Sequence, residues 1–300
     1  TRAITVTAVT DTKTYNGTTS SAGVPVVSVH TIASGDTEAF IQTYDNKNVG
    51  TGKMLTPDGT VNDGNGGNNY DITFVPISTG EITQASLTAT VTISNKVVNG
   101  SDEATITEVN FGGVVDGETV TADFSGATAS FADANVGTNK AVTASGITIA
   151  SGNELGNYSY DGTAEGTGNI LPVPTAVYVN GTWAGTDAWT DPDSTGPATY
   201  FGYDAFATIQ DAIGAVEAEG TVTVAAGTYD EQLDIDKRVT LTGAGIGLTI
   251  VQPTVVPDTS GGHGSAADVD IDNDADGTIV ENISFDFNGV DGTRTGWGIL

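Results

Sequence analysis

Cysteine is absent, so the chain can form no disulfide framework, no thiolate metal site and no cysteine nucleophile. Basic residues are scarce: 9 Lys and Arg stand against 38 Asp and Glu, a formal charge of −29 over 300 residues. Such a surface repels phosphate backbones and anionic headgroups, which excludes nucleic acid and acidic membranes as partners and leaves cations as the natural ones. Histidine is limited to His30, within a strand-like run, and His263, in a Gly-rich loop, and no Gly-x-Ser-x-Gly elbow accompanies them. A Ser-His-Asp triad therefore has no support. No apolar run approaches the roughly 18 residues a membrane-crossing helix needs. The start, Thr1-Arg-Ala-Ile-Thr-Val6, has neither the basic nor the apolar stretch of a secretory signal. With no initiator Met and no terminal signal at Trp297-Gly-Ile-Leu300, the expectation is a piece of a longer polypeptide.

What is present points to strands. Gly numbers 40, and apolar residues recur with period two in short stretches bounded by Gly, Asn and Asp: Ile4-Thr-Val6, Leu87-Thr-Ala-Thr-Val91-Thr-Ile93, Ile147-Thr-Ile149 and Val222-Thr-Val224. Alternation of this kind buries one face of a strand, and β-branched Thr suits the solvated face. The fold class read from it is all-β.

The first 170 residues repeat themselves. Lys13-Thr-Tyr-Asn-Gly17 returns as Lys96-Val-Val-Asn-Gly100, Lys47-Asn-Val-Gly-Thr51 as Ala134-Asn-Val-Gly-Thr138, Gly67-Asn-Asn-Tyr70 as Leu155-Gly-Asn-Tyr158, and Gly80-Glu-Ile82 as Gly168-Asn-Ile170, at offsets of 83, 87, 88 and 88. One unit of about 85 residues is used twice, a length that suits a small sandwich-like β-domain with its own core. The pattern resembles the YDG repeat of large bacterial adhesins and filamentous-haemagglutinin-like proteins. Copy one keeps Lys13, Tyr15, Gly17, Thr18 and Thr19, with Asn16 in place of Asp. Copy two is worn at the signature, with Val98 where Tyr belongs and Ser101-Asp102 where Thr-Thr belongs. The expected domains are 1–83 and 84–171.

Beyond the connector Leu171-Pro-Val-Pro-Thr175 the texture changes, and proline makes a stiff joint there. The stretch 203–216 is helical by pattern, with Phe206, Ile209, Ile213 and Val216 on one face, Asp204 as N-cap and Gly220 beyond the end. Short strands follow near 221–224, 232–235, 238–242, 249–252, 278–286 and 297–300. The order Phe206-Ala-Thr-Ile-Gln210, Gly220-Thr-Val-Thr-Val-Ala-Ala-Gly-Thr-Tyr229 and Asp236-Lys-Arg-Val-Thr-Leu-Thr-Gly-Ala-Gly245 looks like the opening of a right-handed parallel β-helix of the pectin-lyase-like type. The resemblance implies an N-terminal capping helix over the first coil and a third domain over 172–300.

The densest candidate site is acidic. Asp272-x-Asp274-x-Asp276-Gly277 matches the first half of an EF-hand-like calcium loop, where alternate carboxylates converge on one ion, and Asp270 and Glu281 lie close in sequence. Position twelve from Asp272 is Ile283 rather than Glu, and the run also reads as a solvated acidic turn. Asp187, Asp191 and Asp193 form a second, weaker set. The aromatics Trp183, Trp189, Tyr200, Phe201 and Tyr203 either stack on sugar rings or pack over the end of the third domain. A polysaccharide lyase or hydrolase, the enzymatic alternative, needs a base or a uronate-neutralising cation. The third domain offers Lys237, Arg238, Arg294 and His263, none in a convincing constellation. The function expected is non-catalytic: a secreted or cell-surface stalk for adhesion, filament or surface-layer assembly, stabilised by calcium. Its partners would be other copies of itself, neighbouring surface proteins or surface polysaccharide.

Overall fold

Alternating Thr and Val, punctuated by Gly in left-handed conformations, give strands that take 49% of the chain against 6% helix, as an all-β fold requires. The structure, a computed structural model, describes residues 1–252, 269–271 and 273–286. The strand expected over 278–286 is two, Ile279–Glu281 and Ser284–Phe285, and the one expected at 297–300 lies outside the described residues. Compactness divides the chain into two units. The first comprises residues 1–93, 102–133 and 139–168, the second 94–101, 134–138 and the residues from 169 onward.

Copy one contributes β1 (Arg2–Thr7), β2 (Thr12–Thr14), β3 (Val26–Val29), β4 (Thr37–Tyr44), β5 (Gly50–Asn62), β6 (Tyr70–Val75) and β7 (Ile77–Thr83). They form two sheets, ordered β3-β1-β6 and β2-β7-β5-β4. Copy two contributes β8 (Ala85–Ser86), β9 (Thr88–Ile93), β10 (Lys96–Val97), β11 (Glu103–Ala104), β12 (Ile106–Gly112), β13 (Val120–Asp123), β14 (Thr128–Phe131), β15 (Gly137–Ser145), β16 (Thr148–Gly152), β17 (Tyr158–Ser159) and β18 (Thr163–Leu171). The pairing is duplicated along with the sequence. Parallel β1 and β6 set Arg2 opposite Tyr70, and parallel β8 and β17 set Ala85 opposite Tyr158. Likewise β2 runs parallel to β7 with Lys13 opposite Ile82, and β10 parallel to β18 with Lys96 opposite Ile170.

The cores do not respect the repeat boundary. One cluster, Ile4, Val6, Phe40, Val61 and Tyr70, belongs to copy one alone and defines what we term its head. A second joins Ala8, Tyr15, Tyr44, Leu55 and Ile82 at the tail of copy one to Ala85, Leu87 and Tyr158 at the head of copy two. The expectation of a separate core for each copy is therefore corrected at the tail of copy one, whose apolar residues are covered by the head of the next copy.

The second unit holds β19 (Ala176–Val179), β20 (Ala205–Phe206), α1 (Ile209–Ala215), β21 (Thr221–Val224), β22 (Gly227–Tyr229), β23 (Leu233–Ile235), β24 (Thr240–Gly243), β25 (Thr249–Val251), β26 (Val269–Ile271), β27 (Ile279–Glu281) and β28 (Ser284–Phe285). From β21 onward each strand pairs in parallel with the third strand after it, giving the ladders β21-β24-β27, β22-β25-β28 and β23-β26, with β19 and β20 extending the first. Val222, Val224, Leu241, Ile235 and Val251 point inward from these ladders and are at most 1% exposed.

The helix is shorter than its pattern. Phe206 falls in β20, and Thr208, not Asp204, is the N-cap, its hydroxyl oxygen accepting from the Asp211 amide at 3.2 Å. Asp204 instead accepts from the Thr199 and Tyr200 amides at 2.9 and 2.8 Å, holding the preceding loop. The first helical amides, Ile209 and Gln210, donate to the two oxygens of Glu231, each at 2.8 Å, so a carboxylate sits where the helix dipole favours it. Gly220 lies beyond the helix, but Glu219 takes the left-handed conformation there, with φ 68°. His30 stands just after β3 with φ 65° rather than within a strand.

Candidate functional site

The repeated Lys-x-x-Asn-Gly element is a closed turn. In copy one Asn16 Oδ1 accepts from the Thr18 amide at 3.2 Å, Gly17 supplies the left-handed residue at φ 76°, and the Lys13 ammonium donates to the carbonyls of Thr18 at 2.6 Å and Ser20 at 2.8 Å. Copy two repeats it: Asn99 Oδ1 accepts from the Ser101 amide at 3.1 Å, Gly100 has φ 80°, and Lys96 donates to the Ser101 carbonyl at 2.9 Å. An Asx turn followed by glycine needs this residue order, and the lysine satisfies carbonyls that the turn would leave without partners.

A second repeated element escapes the sequence comparison. Ala33-Ser34-Gly35-Asp36 and Val115-Asp116-Gly117-Glu118 are the same turn, each closed by the amide of its acid donating to the carbonyl three residues back, at 3.2 and 3.0 Å, with Gly35 at φ 99° and Gly117 at φ 82°. On each turn sits the tyrosine of the Gly-Asn-Tyr segment. Tyr70 donates to Asp36 Oδ2 at 2.5 Å and accepts from the Ala33 amide at 2.9 Å; Tyr158 donates to Glu118 Oε2 at 2.6 Å and accepts from the Val115 amide at 3.0 Å.

In copy two that acid becomes the centre of the joint between the copies. Glu118 Oε1 accepts from the Tyr15 hydroxyl at 2.5 Å and from the Lys47 ammonium at 2.8 Å, both from the tail of copy one. Lys47 also approaches Glu154 at 3.4 Å, the rings of Tyr15 and Tyr158 meet edge to face at 5.5 Å, and the lysine lies 5.9 Å from the centre of the Tyr15 ring. Beside them the Asn157 carboxamide accepts from the Val49 amide at 2.8 Å and donates to Asn48 Oδ1 at 3.1 Å. Gly17 closes the joint on the other side, since a Cβ there would come within 2.7 Å of Val115 Cγ1.

The electrostatics follow from three donors on one buried carboxylate. Burial pushes the Glu118 carboxyl up, but the bonds from Lys47, Tyr15 and Tyr158 outweigh it and hold the group below the usual glutamate range. The same bond to Glu118 raises the Lys47 ammonium, while burial and then the carboxylate raise Tyr15 and push Tyr158 up to about 12. All these groups stay in their neutral-pH charge states, which is a structural arrangement; none is poised near neutrality for proton transfer.

The acidic segment chosen from sequence is distributed differently. Asp272 lies outside the described residues; Asp270 falls in β26, and its side chain is not among those described. Asp274, in a short 3-10 turn (Asn273–Ala275), and Asp276 are exposed, and Glu281 on β27 accepts from the Thr242 hydroxyl at 3.1 Å. Among the described residues no three His, Asp or Glu side chains gather to hold a metal ion. Asp191 and Asp193 cap their own loop, accepting from the Ser194 and Gly196 amides at 2.9 and 3.0 Å. Trp189 packs on Tyr203 and Tyr200, with ring centres 6.1 and 6.2 Å apart. Lys237 donates to the Gly214 carbonyl at 2.9 Å and Arg238 pairs with exposed Glu219 at 3.5 Å; His263 and Arg294 lie outside the described residues. Shallow surface depressions in the first unit, such as that lined by Thr90, Val91, Thr92, Glu165 and Thr167, present hydroxyls and a single carboxylate.

The profile of the YDG domain matches residues 1–79 and again 83–167, more than half of the chain. The chain belongs to the YDG domain family. No curated protein and no solved structure matches it. The YDG signature acquires a physical meaning from the geometry: Lys13, Asn16 and Gly17 build the turn, while Tyr15, Lys47, Asn48 and Val49 reach into the following YDG copy. Of the residues receiving them, Asn157 belongs to the repeated Gly-Asn-Tyr segment, whereas Glu118, which takes Tyr15 and Lys47, lies outside the repeated motifs; its signal is the short match of Gly35-Asp36-Thr37 with Gly117-Glu118-Thr119, 82 residues on.

Proposed function

We propose that this YDG protein is a non-catalytic structural segment of a secreted or cell-surface protein, in which YDG copies and the strands that follow act as a stalk for adhesion or for filament or surface-layer assembly. The observation that carries the reading is the Glu118 joint, which closes the tail of copy one with the head of copy two in a shared buried cluster, as a load-carrying series of repeats requires. The acidic, cysteine-free composition supports it. We infer further that the residues from 176 onward form the first coils of a right-handed parallel β-helix, with α1 covering the first coil. The three parallel ladders with a period of three strands support this. The segment holding Asp270, Asp272, Asp274, Asp276 and Glu281 is proposed to take calcium and stiffen those coils. Neighbouring surface proteins and surface polysaccharide are the partners this reading implies.

Two measurements test it. Thermal melting in millimolar calcium and in chelator should differ for the second unit, and coincident curves reject the calcium site. Incubation with pectin, alginate and other uronates should release no unsaturated product; turnover rejects the non-catalytic reading.

A further inference from the structure

The joint has a giving side and a receiving side, and copy one carries a receiving side of its own. Asp36, Tyr70 and Ala33 reproduce, bond for bond, the arrangement of Glu118, Tyr158 and Val115. Asn69 occupies the place of Asn157, and Ile32 and Ile72 the places of Val114 and Tyr160. The two receiving sides differ in what rests on them. Glu118 binds a tyrosine and a lysine from the preceding tail and its side chain is 6% exposed, whereas Asp36 is half-buried with Tyr70 as its side-chain partner, and Asn69 is exposed. Asn69 Oδ1 accepts at 3.1 Å from Asn65 Nδ2, a neighbour in its own exposed turn that an incoming amide displaces.

We propose that the head of copy one is a docking surface for the tail of a further YDG copy placed ahead of it, as copy one is placed ahead of copy two. The occupant is defined by chemistry. It must bring a tyrosine hydroxyl and a lysine ammonium to Asp36, and an Asn-Val amide edge to Asn69, which is what Tyr15, Lys47, Asn48 and Val49 bring to Glu118 and Asn157. A carboxylate with one hydroxyl donor takes the two additional charge-assisted bonds at the geometry Glu118 already displays. The tail of copy two is not such an occupant, because Val98 and Ala134 stand where Tyr15 and Lys47 stand in copy one.

The test extends the full chain. Placing residues 1–82 directly before Thr1 sets the added Tyr15 and Asp36 at the 103-residue separation that joins Tyr15 to Glu118. Hydrogen exchange then reads the amides of Ala33 and Asp36 in the original copy one. Docking slows them about ten-fold or more, the equivalent of roughly 1.4 kcal/mol or more of added protection. Asp36→Asn, or Tyr15→Phe with Lys47→Met in the added copy alone, abolishes most of the slowing. Exchange unchanged by the added copy, slowing that survives both sets of substitutions, or an added copy that stays unfolded beside a folded chain each overturn the proposal. The outcome is independent of the calcium and surface readings, since neither enters the measurement.

Discussion

Replacing Glu118 with glutamine keeps the size and shape of the group at the centre of the joint and removes its charge. Three donors converge on the carboxylate: Tyr15 at 2.5 Å and Lys47 at 2.8 Å on one oxygen, Tyr158 at 2.6 Å on the other. Hydrogen bonds to a charged group contribute about 1.5–3 kcal/mol each and neutral ones about 0.5–1.5, so each donor loses about 1 kcal/mol when the acceptor becomes neutral. One of the three also meets an amide NH2 where it met an oxygen. The Lys47 side chain is 32% exposed and so water recovers part of its share, which leaves a net cost of about 2–3 kcal/mol. Asp36→Asn is the internal comparison, because the same turn there receives one hydroxyl, and its cost is about 1 kcal/mol. Urea unfolding followed by tyrosine and tryptophan fluorescence checks both, read as midpoint shifts at constant slope. A Glu118→Gln variant no less stable than Asp36→Asn would refute the reasoning, since the whole difference rests on the two donors that copy one sends across.

Leu55 is fully buried in the core shared by the copies, so Leu55→Ala should cost about 2–5 kcal/mol and loosen copy two as well as copy one, read as faster amide exchange around Tyr158. The pH dependence has two limbs. Glu118 titrates below its ordinary 4.5, so its contribution is present above that value and lost as the pH falls through the lower folded one; Tyr158 and Tyr44, raised from 10.0 to about 12 chiefly by burial, contribute below pH 10.0 and lose that contribution as the pH rises through about 12. Circular dichroism across the range should show a plateau with losses on both sides. Thr208→Ala should destabilise the second unit by about 1 kcal/mol through loss of the helix cap, whereas Asp204→Ala should leave helix content unchanged while freeing the loop amides of Thr199 and Tyr200, a contrast visible by backbone chemical shifts.

Strand content, the duplication and the third region's change of character were all legible because each leaves a local mark: period-two Thr and Val, recurring Asn-Gly pairs, proline at the connector. The helix start is not fixed by residue type, because both Asp204 and Thr208 are good caps, and only the loop hydrogen bonds decide which one faces the helix amides. The joint was less visible still. Tyr15, Lys47 and Tyr158 stood in the repeated motifs, but their common acid did not, and nothing in a single copy says that its tail core is finished by residues from the next. Charge counting favours the run at Asp270–Asp276, whereas the carboxylate that gathers three side-chain donors from both copies is Glu118, in a short loop with a single acidic neighbour, Asp116.

The Glu118 joint is heterologous. The surface that donates and the surface that accepts are different faces of the repeat, so no twofold axis can relate two copies through it, and two heads brought together would set acid against acid. Contacts of this kind do not close into dimers; they add copies in one direction only, the Tyr and Lys of one tail meeting the acid of the next head. Seen in that light the worn signature of copy two is a stop: with Val98 and Ala134 it can accept a predecessor but cannot extend the series by the same bond.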